Sequence, residues 1–255
     1  MHPELRIFLY DRLAQVLVLT LTLVSIVLYA YATEPGSLWF AEWLGFAQLA
    51  GDWPQYVNRF VAAGILLLLV PLTLAFAAGY RPGQLGMRGS RAFLSDWLFW
   101  LIAMVMIAVT LCGVYDEQLV LFYPLGKSMA AAAREESASW FWLHIAGYVG
   151  IYYVAWEVCF RAVLLWPLLG NPRELGPRGE LPPHITPGQA IITASAQSFG
   201  CTLLHLHHPL SETLGAVAFG LISGFLVIRY RSLLPGLLLH ASLGVTLDTA
   251  LIFGR

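Results

Sequence analysis

The sequence predicts an all-α protein, a polytopic bundle of about seven membrane-crossing helices in a single domain of residues 1–255. Two features of the composition predict this class. Hydrophobic residues make up 58% of the chain and charged residues only 11%, whereas about a quarter of the residues in a soluble domain are charged. The mean hydropathy is +0.71. The third observation is that several apolar stretches reach the roughly 20 residues that a spanning helix needs.

Seven stretches are long and apolar enough to cross a bilayer. They lie at residues 13–32, 60–80, 93–115, 140–169, 189–207, 214–230 and 233–253. Residues 37–50 and 118–125 are aromatic but too short to span, so we expect interfacial or re-entrant segments there. Arg6, Arg12 and an Ala-Tyr-Ala sequence at 30–32 also fit a signal peptide. The first apolar stretch exceeds the usual signal core of about 7–15 residues, so we predict an uncleaved helix.

The basic residues predict the orientation, because loops on the cytoplasmic side carry an excess of Lys and Arg. With seven spans and a cytoplasmic N-terminus, the inside carries Arg6, Arg12, Arg81, Arg88, Arg91, Arg173, Arg178, Arg229 and Arg231. The outside then carries Arg59, Lys127, Arg134 and Arg255. The net charge of -1 argues against a nucleic-acid partner. The three cysteines show no spacing typical of a disulfide framework.

Ionisable residues are distributed unevenly along the chain. The first three spans carry almost none apart from Asp96 near one end, and the last four carry many. The latter are His144, Glu157, Arg161, His205, His207, His208, Glu212, His240 and Asp248. Such groups are costly inside a membrane and usually mark a site or a pathway. We therefore predict that residues 1–135 are N-terminal packing helices and that residues 138–253 carry the chemistry. The Pro- and Gly-rich loop at 170–188 does not divide the chain, because polar residues lie on both sides of it.

The spacing of these residues suggests which groups meet. Glu157 and Arg161 are four residues apart and can form an ion pair on one helix face, although simple neutralisation also explains such a pair. His240 and Asp248 are two turns apart on roughly one face. A glutamate with a histidine can activate water, and a second histidine can stabilise an oxyanion. The same groups suit zinc, but no His-Glu-x-x-His helix is present. We expect no metal and no other cofactor.

The second half of the chain resembles the CPBP intramembrane proteases, the family of CAAX prenyl proteases and bacteriocin-processing enzymes. That family carries Glu-Glu-x-x-x-Arg, Phe-x-x-x-His and His-x-x-x-Asn motifs on separate membrane helices. The similar segments here are Trp156-Glu157-Val-Cys-Phe160-Arg161, Cys201-Thr-Leu-Leu-His205 and His240-Ala-Ser-Leu-Gly244. The resemblance covers about residues 147–253. It departs from the family at Trp156, Cys201 and Gly244, which stand where the motifs have Glu, Phe and Asn.

The resemblance implies an endopeptidase of the glutamic type that cleaves a membrane-anchored or lipid-modified protein within the bilayer, without a metal. In this interpretation Glu157 is the general base and Arg161 holds or tunes it. His205 helps to position the water, and His240 stabilises the oxyanion. The resemblance also implies a bacterial protein of the cytoplasmic membrane. It does not predict an oligomeric state.

One bacterial branch of the family, which includes the myxosortases, is similar in more detail. It has a Trp-Glu-x-x-Phe-Arg version of the first motif, then Pro-x-x-Glu-Thr and a late aspartate, which match Pro209, Glu212 and Asp248 here. Glu212 and Asp248 are therefore supporting site residues. We expect Asp248 to supply the polar group that Gly244 does not have.

Three other functions are compatible with the same residues. A non-catalytic CPBP-like protein that binds and shields a partner in the membrane is favoured by the three departures from the motifs. A small transporter with a proton relay fits polar residues at depth, although the sequence shows no inverted repeat. A metal-dependent hydrolase is the third alternative.

Overall fold

The computed structural model describes residues 3–206 and 208–254, with side chains from residue 10 onward. This part of the chain is all-α, as predicted, and contains no strand. Its helices are α1 (Pro3–Ala32), α2 (Trp39–Trp43), α3 (Trp53–Ala77), α4 (Trp97–Cys112), α5 (Glu117–Phe122), α6 (Lys127–Glu135), α7 (Ala138–Leu169), α8 (Pro187–Leu203), α9 (Leu210–Tyr230) and α10 (Leu234–Phe253). His207, one of the ionisable residues singled out in the sequence, lies outside the described residues.

Six of the described helices are long and apolar enough to cross a membrane, namely α1, α3, α4 with the short 3-10 turn that follows it, α7, α9 and α10. They correspond to six of the seven predicted spans. The remaining prediction, residues 189–207, corresponds to α8, whose 17 residues reach only the short end of the spanning range of about 17–25. The two pieces predicted to be interfacial contain the short helices α2 and α5.

Side chains cap several helices at their first turn. Asp96, Asp116 and Ser137 each accept a hydrogen bond from the backbone amide two residues further on, at the starts of α4, α5 and α7. At the start of α8, Thr186 and Gln189 form a capping box. Such caps satisfy backbone amides that have no partner within the helix. They explain why these helices begin where they do.

Helix α7 lies at the centre of the bundle. In its most apolar stretch 78% of the residues are buried, against 11–39% in the other five candidate spans. The helix runs for 32 residues without a break, but two stretches, Tyr148–Tyr153 and Val158–Leu164, are π-helical. Insertions of this type are rare and frequently occur at functional sites. The first motif of the sequence analysis lies where the second π-helical stretch begins.

An aromatic layer packs α7 against α1 and α3. Tyr148 and Tyr152 stack with their ring centroids 5.1 Å apart, and Phe60 of α3 lies 5.8 Å from Tyr152. The ring of Trp156 meets Tyr29 of α1 edge-on at 6.1 Å. Aromatic pairs in these geometries add to the stability that their burial provides. The layer therefore holds α7 in place along the half that leads to the first motif.

Polar contacts near helix termini define two ends of the bundle. At one end, Arg173 pairs with Asp11 at 3.1 Å and Arg231 pairs with Glu180 at 3.6 Å. At the other end, Asp52 accepts hydrogen bonds from the first two backbone amides of α6. The end that gathers the two arginines is the one that the sequence predicts to face the cytoplasm.

Asn58 fixes the connection between α1 and α3. It is almost fully buried, and its Oδ1 accepts a hydrogen bond from the backbone amide of Phe40 at 2.8 Å. Its Nδ2 donates to the carbonyl oxygens of Ala32 and Ser37 at 2.6 and 3.2 Å. One side chain thus satisfies backbone groups from both sides of the α1–α2 turn.

We predict that Asn58→Ala lowers the free energy of unfolding by about 1–3 kcal/mol, because it leaves buried backbone groups without partners. Thermal unfolding of the purified protein in detergent measures the effect. Gln55→Ala is the matched control, since Gln55 is exposed on the same helix and its loss should cost less than about 0.5 kcal/mol. Equal losses for the two variants would contradict the anchoring role of Asn58.

Candidate active site

Glu157 joins three helices at the centre of the bundle. Its side chain is 1% exposed, and its Oε1 accepts a hydrogen bond from Nδ1 of His240 on α10 at 2.9 Å. Its Oε2 accepts one from Ser223 of α9 at 3.1 Å. Nε of Arg161 lies 3.6 Å from the same oxygen, one turn further along α7. The structure thus brings together three of the predicted site residues and adds Ser223.

The contact with Glu157 determines which ring nitrogen of His240 carries the proton. An ionised carboxylate can only accept hydrogen bonds, so Nδ1 of His240 must carry the proton. The neutral ring then presents an unprotonated Nε2. Tyr153 and Phe219 hold the ring in place, with centroids 4.2 and 4.5 Å away. The His240 side chain is 22% exposed and that of Glu157 only 1%, so His240 is the member of the pair that is accessible.

Gly236 makes the close approach of α10 to Glu157 possible. A Cβ atom at this position would lie 2.8 Å from Oε2 of Glu157 and would overlap the hydroxyl oxygen of Ser223. Small residues at helix contacts are typical of membrane bundles, because they let backbones approach closely. Gly236 therefore has a steric role in assembling the site.

Arg161 is fully buried beside Glu157, and its remaining partners are weak. Its Nη1 donates to Sγ of Cys201 at 3.7 Å, and its guanidinium carbon lies 5.2 Å from the centre of the Phe219 ring. Within the described structure, Nε and Nη2 make no hydrogen bond. A buried charge is costly unless it is paired, so Arg161 and Glu157 compensate each other. Cys201 contributes a weak acceptor to the arginine at the position where the family motif has phenylalanine.

His205 lies in a second polar group that adjoins the first through Trp156. The Trp156 ring packs on the His205 ring at 5.2 Å. Nδ1 of His205 faces the carbonyl oxygen of Cys201 at 3.1 Å and must donate to it. Its Nε2 lies 3.9 Å from Oε1 of Glu212. Among the described residues, the hydrogen bonds, ion pairs and ring contacts of His205 do not include Glu157.

Glu212 provides the carboxylate of this second group. Its Oε1 accepts hydrogen bonds from the Tyr123 hydroxyl at 2.6 Å and from Nδ1 of His208 at 2.7 Å. Trp156 occupies the place of the first motif glutamate and turns an apolar ring toward His205. The carboxylate beside His205 therefore comes from α9, not from α7. Glu212 therefore lies beside His205, and its role as a supporting site residue stays a prediction.

Asp248 belongs to a third polar group and has a different partner from the one expected. Its Oδ2 accepts a hydrogen bond from Nε2 of His144 at 2.8 Å, and the Tyr56 hydroxyl donates to Nδ1 of His144 at 2.6 Å. A Cβ atom at Gly244 would overlap the hydroxyl of Tyr153. Tyr153 thus takes the space of the motif asparagine, and this corrects the expectation that Asp248 supplies the polar group there.

Sequence reasoning missed four residues of these groups: Ser223, Tyr153, Tyr123 and Tyr56. Hydroxyl groups occur throughout membrane helices, so their presence carries little signal. Gly244 offers the only hint, because a glycine within a helical pattern often has a packing reason. Which hydroxyl fills the space beside it depends on how α7 and α10 pack.

Comparison with known proteins supports the family resemblance. Residues 137–246 match the family model described as type II CAAX prenyl endopeptidase Rce1-like. The resemblance to the CPBP proteases that was inferred from the motifs is confirmed over this part of the chain. Similarity to the Trp-Glu branch with the myxosortases stays a prediction. No curated protein and no solved structure matches the chain significantly.

We predict that Gly244→Ala destabilises the protein by about 1–3 kcal/mol, because a side chain must displace Tyr153. The same change made together with Tyr153→Leu should cost less than the sum of the two single changes, since Leu removes the overlapping hydroxyl. Thermal unfolding of all four proteins measures this coupling, which is about 0.5–3 kcal/mol for residues in contact. Strict additivity would show that Tyr153 does not fill the space at Gly244.

Proposed function

We propose that the chain is an intramembrane endopeptidase of the glutamic type that cleaves a membrane-anchored or lipid-modified protein. The match of residues 137–246 to a family of prenyl endopeptidases supports a hydrolase of the membrane. The observation that carries the proposal is the contact of Glu157 with His240, in which a buried carboxylate orients a partly exposed histidine. Carboxylate–histidine pairs of this kind are suited to general base catalysis.

In the proposed reaction, Nε2 of His240 takes a proton from water as the water oxygen attacks the scissile carbonyl carbon. The forming imidazolium is stabilised by the Glu157 carboxylate behind it. His240 then donates through Nε2 to the oxyanion, and the same proton passes to the amine nitrogen when the peptide C–N bond breaks. The resemblance assigns the role of general base to Glu157. In this mechanism His240 takes the proton, and Glu157 acts through its hydrogen bond to His240. The oxyanion role assigned to His240 follows once the ring is protonated.

His205 and Arg161 have supporting roles in this mechanism. Nε2 of neutral His205 is an acceptor, because Nδ1 is committed to the Cys201 carbonyl. It therefore accepts a hydrogen bond from the attacking water and orients it. Arg161 compensates the charge of Glu157 at 3.6 Å and keeps the carboxylate directed at His240.

The same reasoning extends to the site of action. We place the protein in a bacterial cytoplasmic membrane with its N-terminus in the cytoplasm, because basic residues concentrate in the loops at that end. Residues 138–253 form the catalytic core and residues 1–135 support it. The substrate reaches the site from within the bilayer, as expected for a protein with a lipid or helix anchor.

A second candidate function is a non-catalytic protein that shields a partner in the membrane. The Trp156 ring favours it, because it places an apolar surface against His205 where the family motif has a carboxylate. In that case the Glu157–His240 contact is structural and joins α7 to α10.

We predict that Glu157→Gln slows substrate cleavage by roughly 10²–10⁴-fold, because the neutral amide no longer stabilises the imidazolium. The test compares membranes that carry the unaltered protein or the variant at equal abundance and maps the new C-termini of membrane-anchored proteins. Glu117→Gln is the control, since Glu117 is an exposed carboxylate outside the site. Termini that disappear only with Glu157→Gln identify both the activity and the substrate.

His240→Ala should abolish the same termini, and Ser223→Ala should reduce them less, because Ser223 only helps to orient the carboxylate. A profile that is identical for the unaltered protein, Glu157→Gln and His240→Ala would exclude the proposed proteolysis and favour the partner-binding alternative.

A further inference from the structure

His205, His208 and Glu212 form a compact group at the junction of α8 and α9. One ligand atom from each residue lies within 4.8 Å of the other two. The Thr213 hydroxyl donates to the carbonyl oxygen of His205 at 2.6 Å, which ties His205 to the first turn of α9. The three side chains are 14–19% exposed, so a small ion can reach them from outside.

The hydrogen bonds of His205 leave its other nitrogen free for a metal. Nδ1 donates to the Cys201 carbonyl oxygen at 3.1 Å, so Nε2 carries the lone pair and faces Glu212. Metal-ligating histidines almost always donate their second N–H to a carbonyl or carboxylate in this way. The Cys201 carbonyl of α8 thus holds His205 in the tautomer and the orientation that a metal ligand needs.

Glu212 also has the surroundings of a ligand. The Tyr123 hydroxyl donates to its Oε1 at 2.6 Å, as is usual for ligating carboxylates, which accept further hydrogen bonds. Its Oε2 is buried and has no hydrogen-bond partner in the described structure. A buried carboxylate oxygen without a partner is costly, and a metal ion would satisfy it.

The two distances to Glu212 are compatible with a tetrahedral ion. Bonds of about 2.0–2.1 Å separate the ligand atoms of tetrahedral zinc by roughly 3.3 Å. Oε1 of Glu212 lies 2.7 Å from Nδ1 of His208 and 3.9 Å from Nε2 of His205, and these two values bracket that separation. Two imidazoles and one carboxylate suit zinc or cobalt, whereas calcium and magnesium prefer sites made of oxygen ligands.

We propose that His205, His208 and Glu212 bind a divalent transition-metal ion of the zinc class. The ion takes the place of the hydrogen bond between Nδ1 of His208 and Glu212. One consequence of this site rests on the proposed function. The ion occupies Nε2 of His205, the atom that orients the attacking water, and therefore inhibits cleavage. The site would make the protease sensitive to zinc.

Binding is tested without any substrate on the full-length protein, purified without a histidine tag. Co²⁺ is titrated and its visible absorption is recorded, and Zn²⁺ is then added to displace it. We expect one ion per chain and intense tetrahedral absorption. His208→Ala and Glu212→Gln should each weaken binding on the order of 100-fold, since losing a ligand costs at least as much as losing the groups that support it. His184→Ala is the control, because His184 is exposed and outside the group.

Absence of Co²⁺ absorption in the unaltered protein, or equal affinities in all four proteins, would overturn the metal site. Glu212→Gln keeps the size of the side chain, so the comparison holds even if His208→Ala fails to fold. In a separate experiment, the zinc inhibition of cleavage is expressed relative to the zinc-free rate of each protein. Binding without inhibition would overturn only the regulatory role, and binding without any cleavage would overturn only the proposed protease.

Discussion

The buried ion pair of Glu157 and Arg161 is the constraint on which the rest of the site depends. Inside a bundle that faces lipid, a charge without a partner costs several kcal/mol. Glu157 therefore needs a donor at each oxygen, and it finds them on α9 and α10, while Arg161 of its own helix supplies the opposite charge. A requirement of electrostatics thus fixes how three helices meet. The same contacts leave the His240 side chain partly exposed while Glu157 is buried.

Packing provides the close approach that this arrangement needs. Gly236 admits the Glu157 carboxylate and the Ser223 hydroxyl at one point of α10, and Gly244 admits the Tyr153 hydroxyl two turns later. In a membrane, small residues at helix contacts replace the hydrophobic driving force that acts between helices in water. At the third motif, Tyr153 of α7 fills the space beside Gly244. At the first motif, where Trp156 stands, the carboxylate beside His205 is Glu212 of α9.

Most of the fold could be predicted from the sequence, because apolar stretches of bilayer length leave few alternatives. The site could be predicted only in part. The four-residue spacing of Glu157 and Arg161 lies on one helix, so their contact could be predicted from helix geometry. Contacts between helices depend on rotation and crossing, which periodicity does not determine. For this reason the pairing of Asp248 with His144 was not foreseen. The span predicted at residues 189–207 was harder to define, because α8 has only 17 residues and ends at Leu203, before His205.

The central claim is that Glu157 holds His240 with its proton on Nδ1. Nitrogen-15 NMR of histidine-labelled protein in a bilayer measures this directly, and His240→Asn assigns the signal. The account predicts a protonated Nδ1 at neutral pH and an unprotonated Nε2, with the Nδ1 signal shifted in Glu157→Gln because the acceptor loses its charge. A proton on Nε2 with Nδ1 free, or a signal that Glu157→Gln leaves unchanged, would contradict the account.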